Sequence, residues 1–97
     1  SIISLQSDKD TIVNTINQAA AIDNITPTSL DVLTTAGKWE RLYYKPKKGL
    51  CWAADTNVIS QRVVSLKFIK HSESFLTVEL VLKNQDKSQK LTTGIEI

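Results

Sequence analysis

Two runs of strict alternation stand back to back between Val63 and Leu82, and they limit the fold more than any other part of the chain. In the first, Val64, Leu66 and Phe68 share a face, with Val63, Ser65 and Lys67 on the other. In the second, Leu76, Val78, Leu80 and Leu82 share a face while Thr77, Glu79 and Lys83 point away. The polar stretch His71-Ser72-Glu73-Ser74 between them has the length that joins antiparallel strands. The spacing predicts a hairpin. Full burial of a large aliphatic or Phe side chain is worth roughly 1.5–3 kcal/mol, so these inward residues form the largest block of burial the chain offers. The remaining segments must cover that face.

Size and composition bound what such a chain can be. Ninety-seven residues are enough to close one core without disulfides or metal, and a single domain over residues 1–97 is expected. A hydrophobic share of 41% and a charged share of 23% place it among globular chains rather than disordered ones. Twelve basic against ten acidic residues give +2, too little to imply a nucleic-acid or membrane partner through net charge. A lone cysteine, Cys51, and a lone histidine exclude an internal disulfide and the common zinc frameworks. No run approaches the length of a membrane span, and the first residues lack the form of a signal peptide. The chain has no methionine and begins at Ser1, which reads as a processed or excised piece of a longer polypeptide.

In order along the chain, Ser7-Asp8-Lys9-Asp10 has the form of a helix start. Ile12, Ile16, Ala19, Ala20 and Ile22 then recur at helical spacing. An amphipathic helix is expected over residues 9–23, inside a helical unit of residues 1–25. Ser1 to Gln6 is apolar enough to continue it upstream, and Pro27 ends it. Residues 28–36 fit either a strand or a short helix, and the β-branched Val32, Thr34 and Thr35 favour the strand. Trp39 to Lys45 reads as a strand with Trp39, Arg41 and Tyr43 on one side. Pro46-Lys47-Lys48-Gly49 is a turn, Leu50 to Ala54 a strand, and Asp55 to Ser60 a loop. After the hairpin, residues 84–88 read as a turn and Leu91 to Ile97 as a last strand. The fold class is therefore α+β. One N-terminal amphipathic helix packs on an antiparallel β-meander of about five to six strands spanning residues 29–97.

Candidate chemistry is thin. His71 lies in a polar connection, and a serine, histidine and glutamate adjacent in sequence do not make a triad, which is a matter of spatial geometry. Cys51 alternates with Leu50 and Trp52 and reads as a small packed strand residue. Asp8 and Asp10 read as helix-start charges rather than cation ligands, since no calcium-loop spacing follows. Asn24-Ile25-Thr26 fits the glycosylation pattern but is followed directly by Pro27. Arg41, Lys45, Lys47 and Lys48, interleaved with Trp39, Tyr43, Tyr44 and Trp52, form a candidate interaction surface. Single-stranded nucleic acid could use such a face, but sheet packing and a guarded strand edge account for the same residues. No catalytic, cofactor-binding or metal site is assigned, and no cofactor is expected. With one His and one Cys lacking recognisable partners, the chain is not expected to be an enzyme.

Taken as an ordered series, the strands resemble those of minor pilins and minor pseudopilins of type IV pili and type II secretion systems. The series runs Leu30-Asp31-Val32-Leu33-Thr34, Trp39-Glu40-Arg41-Leu42-Tyr43-Tyr44, Gly49-Leu50-Cys51-Trp52, Val63-Val64-Ser65-Leu66-Lys67-Phe68, and Leu76-Thr77-Val78-Glu79-Leu80-Val81-Leu82. In that family a tyrosine-rich strand leads through a glycine turn to a Leu-Trp or Leu-Tyr strand, and alternating strands complete the sheet. The resemblance implies a non-enzymatic subunit that docks with related subunits in a filament or its tip. It also implies that Ser1 to Asp23 is the outer part of a longer helix, whose start anchors the parent in the inner membrane with the body on the periplasmic or cell-surface side. A single Cys51 departs from the family's common disulfide. The alternative is a free-standing small binding module, such as an inhibitor, immunity protein or periplasmic assembly domain.

Overall fold

The computed structural model describes the backbone of residues 2–97 and the side chains of residues 7–97. Helix α1 (Ile2–Asn17) is followed by eight strands: β1 (Ala21–Asp23), β2 (Ser29–Leu33), β3 (Trp39–Lys45), β4 (Gly49–Trp52), β5 (Ala54–Ser60), β6 (Val63–Ser72), β7 (Phe75–Asn84) and β8 (Lys87–Glu96). The chain is α+β, and all strand pairs are antiparallel. In place of one meander of five or six strands there are two sheets, β1-β2-β3-β4-β5 and β6-β7-β8. The expected loop at residues 55–60 is strand β5, whose pairing with β4 is irregular on both sides of Cys51. That irregularity blurs the period-two signal on which a sequence reading relies.

The helix stops earlier than expected. It ends at Asn17 rather than running to residues 23–25, and Ala21–Asp23 is a strand. Alanines 19 to 21 are the best helix formers in the segment, so local propensity favours continuation. Tertiary pairing wins instead: the Ala20 N–H donates to the Leu33 carbonyl at 2.8 Å, and Ile22 pairs with Val32 while packing against the core. The start differs too, since Ser7 to Asp10 lies inside the helix and caps nothing. Ser1 falls outside the described residues. Within residues 28–36, Ser29–Leu33 forms the strand β2.

The central hairpin forms, with one correction. Val63 is buried and Val64 is 42% exposed, the reverse of simple alternation. The register steps from Val63↔Leu82 to Ser65↔Val81, so one residue is extra on β6. This bulge lets Val63 and Leu66 both face inward. The connection shortens to Glu73 and Ser74, because β6 runs through Ser72 and β7 starts at Phe75. The turn before β8 likewise shrinks to Gln85 and Asp86.

One buried cluster joins all three layers. Leu30, Val32, Leu42 and Leu50 come from the first sheet, Val63, Leu66, Phe68, Leu76, Val78, Leu80, Leu82 and Ile95 from the second, and Ile12 and Ile16 from α1. Asp8, one helical turn before Ile12, is also buried. Its carboxylate accepts from Ser60 Oγ at 2.8 Å and from Arg62 Nε and Nη2 at 3.0 and 2.8 Å. Asp8 thus ties the helix to the β5–β6 junction instead of serving as a helix-start charge.

Two outcomes check this description. Val63→Ala should destabilise by about 2 kcal/mol, whereas Val64→Ala should stay within about 0.5 kcal/mol; equal losses in denaturant melts would contradict the bulge. Arg62→Ala leaves a buried carboxylate with one partner fewer and should cost about 2–3 kcal/mol. The Asp8→Ala, Arg62→Ala double variant should then lose clearly less than the two single losses added, and simple additivity would argue against the pairing.

Candidate functional site

Strand β3 places Trp39, Arg41, Tyr43 and Lys45 on the outer face of the first sheet, because its alternate residue Leu42 is fully buried on the inner face. On β2, Ser29 pairs with Tyr43, Asp31 with Arg41 and Leu33 with Trp39. The result is a depression of about 570 Å³ whose wall includes Ser29, Asp31, Trp39, Arg41, Tyr43 and Asp55. Its size lies within the range of small-ligand sites.

The outer-face charges in its wall, Asp31, Arg41 and Asp55, each have a partner. Asp31 accepts from Arg41 Nε at 2.9 Å and from Asn24 Nδ2 at 2.9 Å, with Arg41 Nη2 at 3.5 Å. The Arg41 bond, then the Asn24 bond, hold the Asp31 carboxyl below its ordinary value of 3.8. Asn24 itself takes the left-handed backbone conformation that asparagine tolerates (φ 52°). Across the depression the Tyr43 hydroxyl donates to Asp55 Oδ1. That bond lowers the Asp55 carboxyl below its ordinary value and, with desolvation adding to it, pushes the Tyr43 phenol up to about 12. Lys45 Nζ lies 3.5 Å from Asp55 Oδ2, and Lys48 Nζ donates to the Asp55 carbonyl at 3.3 Å.

Ala53 explains how Asp55 reaches Tyr43. It turns the chain from β4 into β5 with φ 68°, a conformation unfavourable for a residue with a Cβ, and its N–H donates to the Arg41 carbonyl at 2.8 Å. The strained residue sits in the wall of the depression. Trp39 closes the other end with half of its surface (51%) in solvent.

The four basic residues singled out from the sequence separate here. Arg41 lines the depression and is bound to Asp31; Lys45 and Lys48 gather around Asp55; Lys47 lies exposed in the turn with φ 71° and makes no ion pair among the described residues. The acidic partners Asp31 and Asp55 escaped sequence reading. Asp55 lies in a segment whose pattern reads as a loop, although Thr56, Val58 and Ile59 carry a β-branched signal for a strand. Asp31 alternates with the buried Leu30 and Val32 and so was legible as outward-facing, but its partner Arg41 required the β2–β3 register.

His71 lies on β6 rather than in a connection; it is exposed, its Nε2 is 2.9 Å from Thr77 Oγ1, and its ring lies 5.7 Å from that of Phe75. Cys51 pairs with Tyr43 in register and is fully buried, and burial pushes its thiol up. A thiol so held stays protonated and packed. Asn24-Ile25-Thr26 lies in the connection between β1 and β2, where the Asn24 amide is committed to Asp31. Among the described residues no three His, Cys, Asp or Glu side chains converge to hold a metal ion.

No family model matches this chain, and no curated protein and no solved structure shows significant similarity to it. The site is therefore read from its own chemistry.

The pairing predicts a pH window. Asp31 and Asp55 have lowered values when folded, so the stability they contribute is present above about 3.8 and is lost as pH falls through the folded values. Tyr43 has a raised value, so its contribution is complete below about 10 and is lost as pH rises towards about 12. In an absorbance titration Tyr43 should ionise near 12, and Asp55→Ala should return it towards about 10. An alkaline titration left unchanged by Tyr43→Phe would rule the assignment out.

Proposed function

We propose that this chain is the body of a non-enzymatic structural subunit, similar to minor pilins and minor pseudopilins, which docks with related subunits in a filament or at its tip. The observation that carries this reading is the one-sided seating of α1. Asp8, Ile12 and Ile16 hold one side of the helix against the body, while Asp10, Thr11, Asn14 and Asn17 face solvent. A helix fixed by both an apolar stripe and a buried ion pair cannot pivot on the sheets. An apolar extension of that helix would hold the body at a set angle to a membrane or a filament axis, with the body on the periplasmic or cell-surface side. The exposed side of α1 and the turn carrying Lys45, Lys47 and Lys48 are the surfaces left for neighbouring subunits.

A free-standing binding module is the second reading, and the Trp39 depression favours it. A module of that kind works through a ligand and has no use for an anchored helix. The two readings part on the native polypeptide. The subunit reading expects about 20 predominantly apolar residues running into Ser1, detectable by intact mass and N-terminal sequencing. A native chain that starts near Ser1, or directly after a cleaved secretory signal, would reject the subunit reading and leave the binding module.

A further inference from the structure

We infer that the depression on the outer face of the first sheet is a binding site for a neutral polyhydroxylated ligand, a short oligosaccharide, with the Trp39 indole as its platform. This goes beyond the subunit reading and does not rest on it.

Charge sets the ligand class. An anion needs an uncommitted cation, but Arg41 is bound to Asp31 and shares its wall with a second carboxylate, Asp55. A cation needs an uncommitted carboxylate on the outer face, but Asp31 is held by Arg41 and Asn24, Asp55 by Tyr43 and Lys45, and Glu40 shares the strand parity of the buried Leu42. On the outer face each charge is already neutralised by its partner, so a charged ligand meets repulsion beside every attraction. A neutral ligand meets neither.

The remaining valences suit hydroxyl groups. Arg41 carries five N–H donors, of which Nε and one on Nη2 turn towards Asp31, and 58% of its side chain remains exposed. The Asp31 carboxylate keeps unused lone pairs beside those donors, and Asp55 keeps its own elsewhere in the wall. A planar guanidinium next to a carboxylate offers a donor and an acceptor side by side, which matches adjacent hydroxyls on a sugar ring. Because both are already locked by their mutual bonds, little side-chain freedom is lost when a ligand binds.

Trp39 supplies what the polar groups cannot. Half of its surface is in solvent although it stands on a strand whose inner-facing neighbour Leu42 is completely buried. A large flat apolar ring beside pre-ordered polar groups is suited to the C–H face of a pyranose. Trp39, Arg41 and Tyr43 follow one another on the same face of β3, so the platform, the fork and the phenol lie in a line of roughly 13 Å. That line is long enough for more than one sugar ring.

The test is a fluorescence titration of the full chain in a Trp52→Phe background, which leaves Trp39 as its only indole. The probes are maltohexaose, cellohexaose, N-acetylchitohexaose and mannohexaose, with heparin and oligolysine as charged competitors. The expectation is saturable binding of at least one neutral oligosaccharide with Kd on the order of 0.1–1 mM. Calorimetry on the Trp39→Ala chain should show that binding weakened about tenfold or more. Arg41→Gln should weaken it as well, with circular dichroism unchanged in both variants because both side chains are exposed. Binding of heparin or oligolysine alone would overturn the inference. So would a neutral glycan whose affinity ignores Trp39→Ala, or failure of every neutral probe at millimolar concentration.

Discussion

The buried carboxylate of Asp8 is the constraint on which the rest of the structure depends. A charge taken out of water needs several partners in good geometry, and Ser60 and Arg62 supply three contacts at 2.8–3.0 Å. Meeting that need fixes where β5 ends, where β6 begins and how α1 lies on both. The same junction demands a glycine. A Cβ at Gly49 would stand 2.2 Å from the Ser60 carbonyl oxygen, and the residue's φ of +108° is itself open mainly to glycine. Helix, first sheet and second sheet therefore meet at one polar point, and the apolar cluster fills the space that this point defines.

The first sheet has two faces with opposite logic. Inside, Leu30, Val32, Leu42 and Leu50 are almost completely removed from water. Outside, Asp31, Arg41, Tyr43 and Asp55 are polar yet held in place by bonds to one another. Exposed ion pairs contribute little to stability singly. Their consequence here is order, since the side chains around Trp39 have few conformations left to them. A wall that is charged, internally neutralised and already arranged differs from the solvated lysine turn at its rim, and the two surfaces support different kinds of contact.

The second sheet shows how a bulge can preserve a core at the expense of pattern. Strict alternation would have placed Val64 inside, but the extra residue on β6 turns Val63 inward to pair with Leu82. The same sheet accepts Gly94 on β8 because the Phe75 ring lies over it, where a Cβ would come within 2.7 Å of Cζ. Phe75 consequently remains partly exposed while covering backbone rather than filling the core.

What the sequence determined by itself is the extended segments β2, β3, β4, β6, β7 and β8 and, for most, their inward faces. The period-two patterns of β2, β3 and β7 are local, and burial of Leu30, Val32, Leu42, Leu76, Val78, Leu80 and Leu82 follows from side chains alternating across a strand. What tertiary structure decided depends on groups far apart in the chain. The Asp8–Arg62 pair spans 54 residues, and the Tyr43–Asp55 bond depends on strand β5, whose own pattern reads as a loop. The helix end moved because the Leu33 carbonyl captured the Ala20 N–H, a gain that no local propensity contains. The division into two sheets has the same origin. Hydrophobic periodicity tells a residue which way to face, but hydrogen-bond register and the pairing of buried charge decide what it meets there.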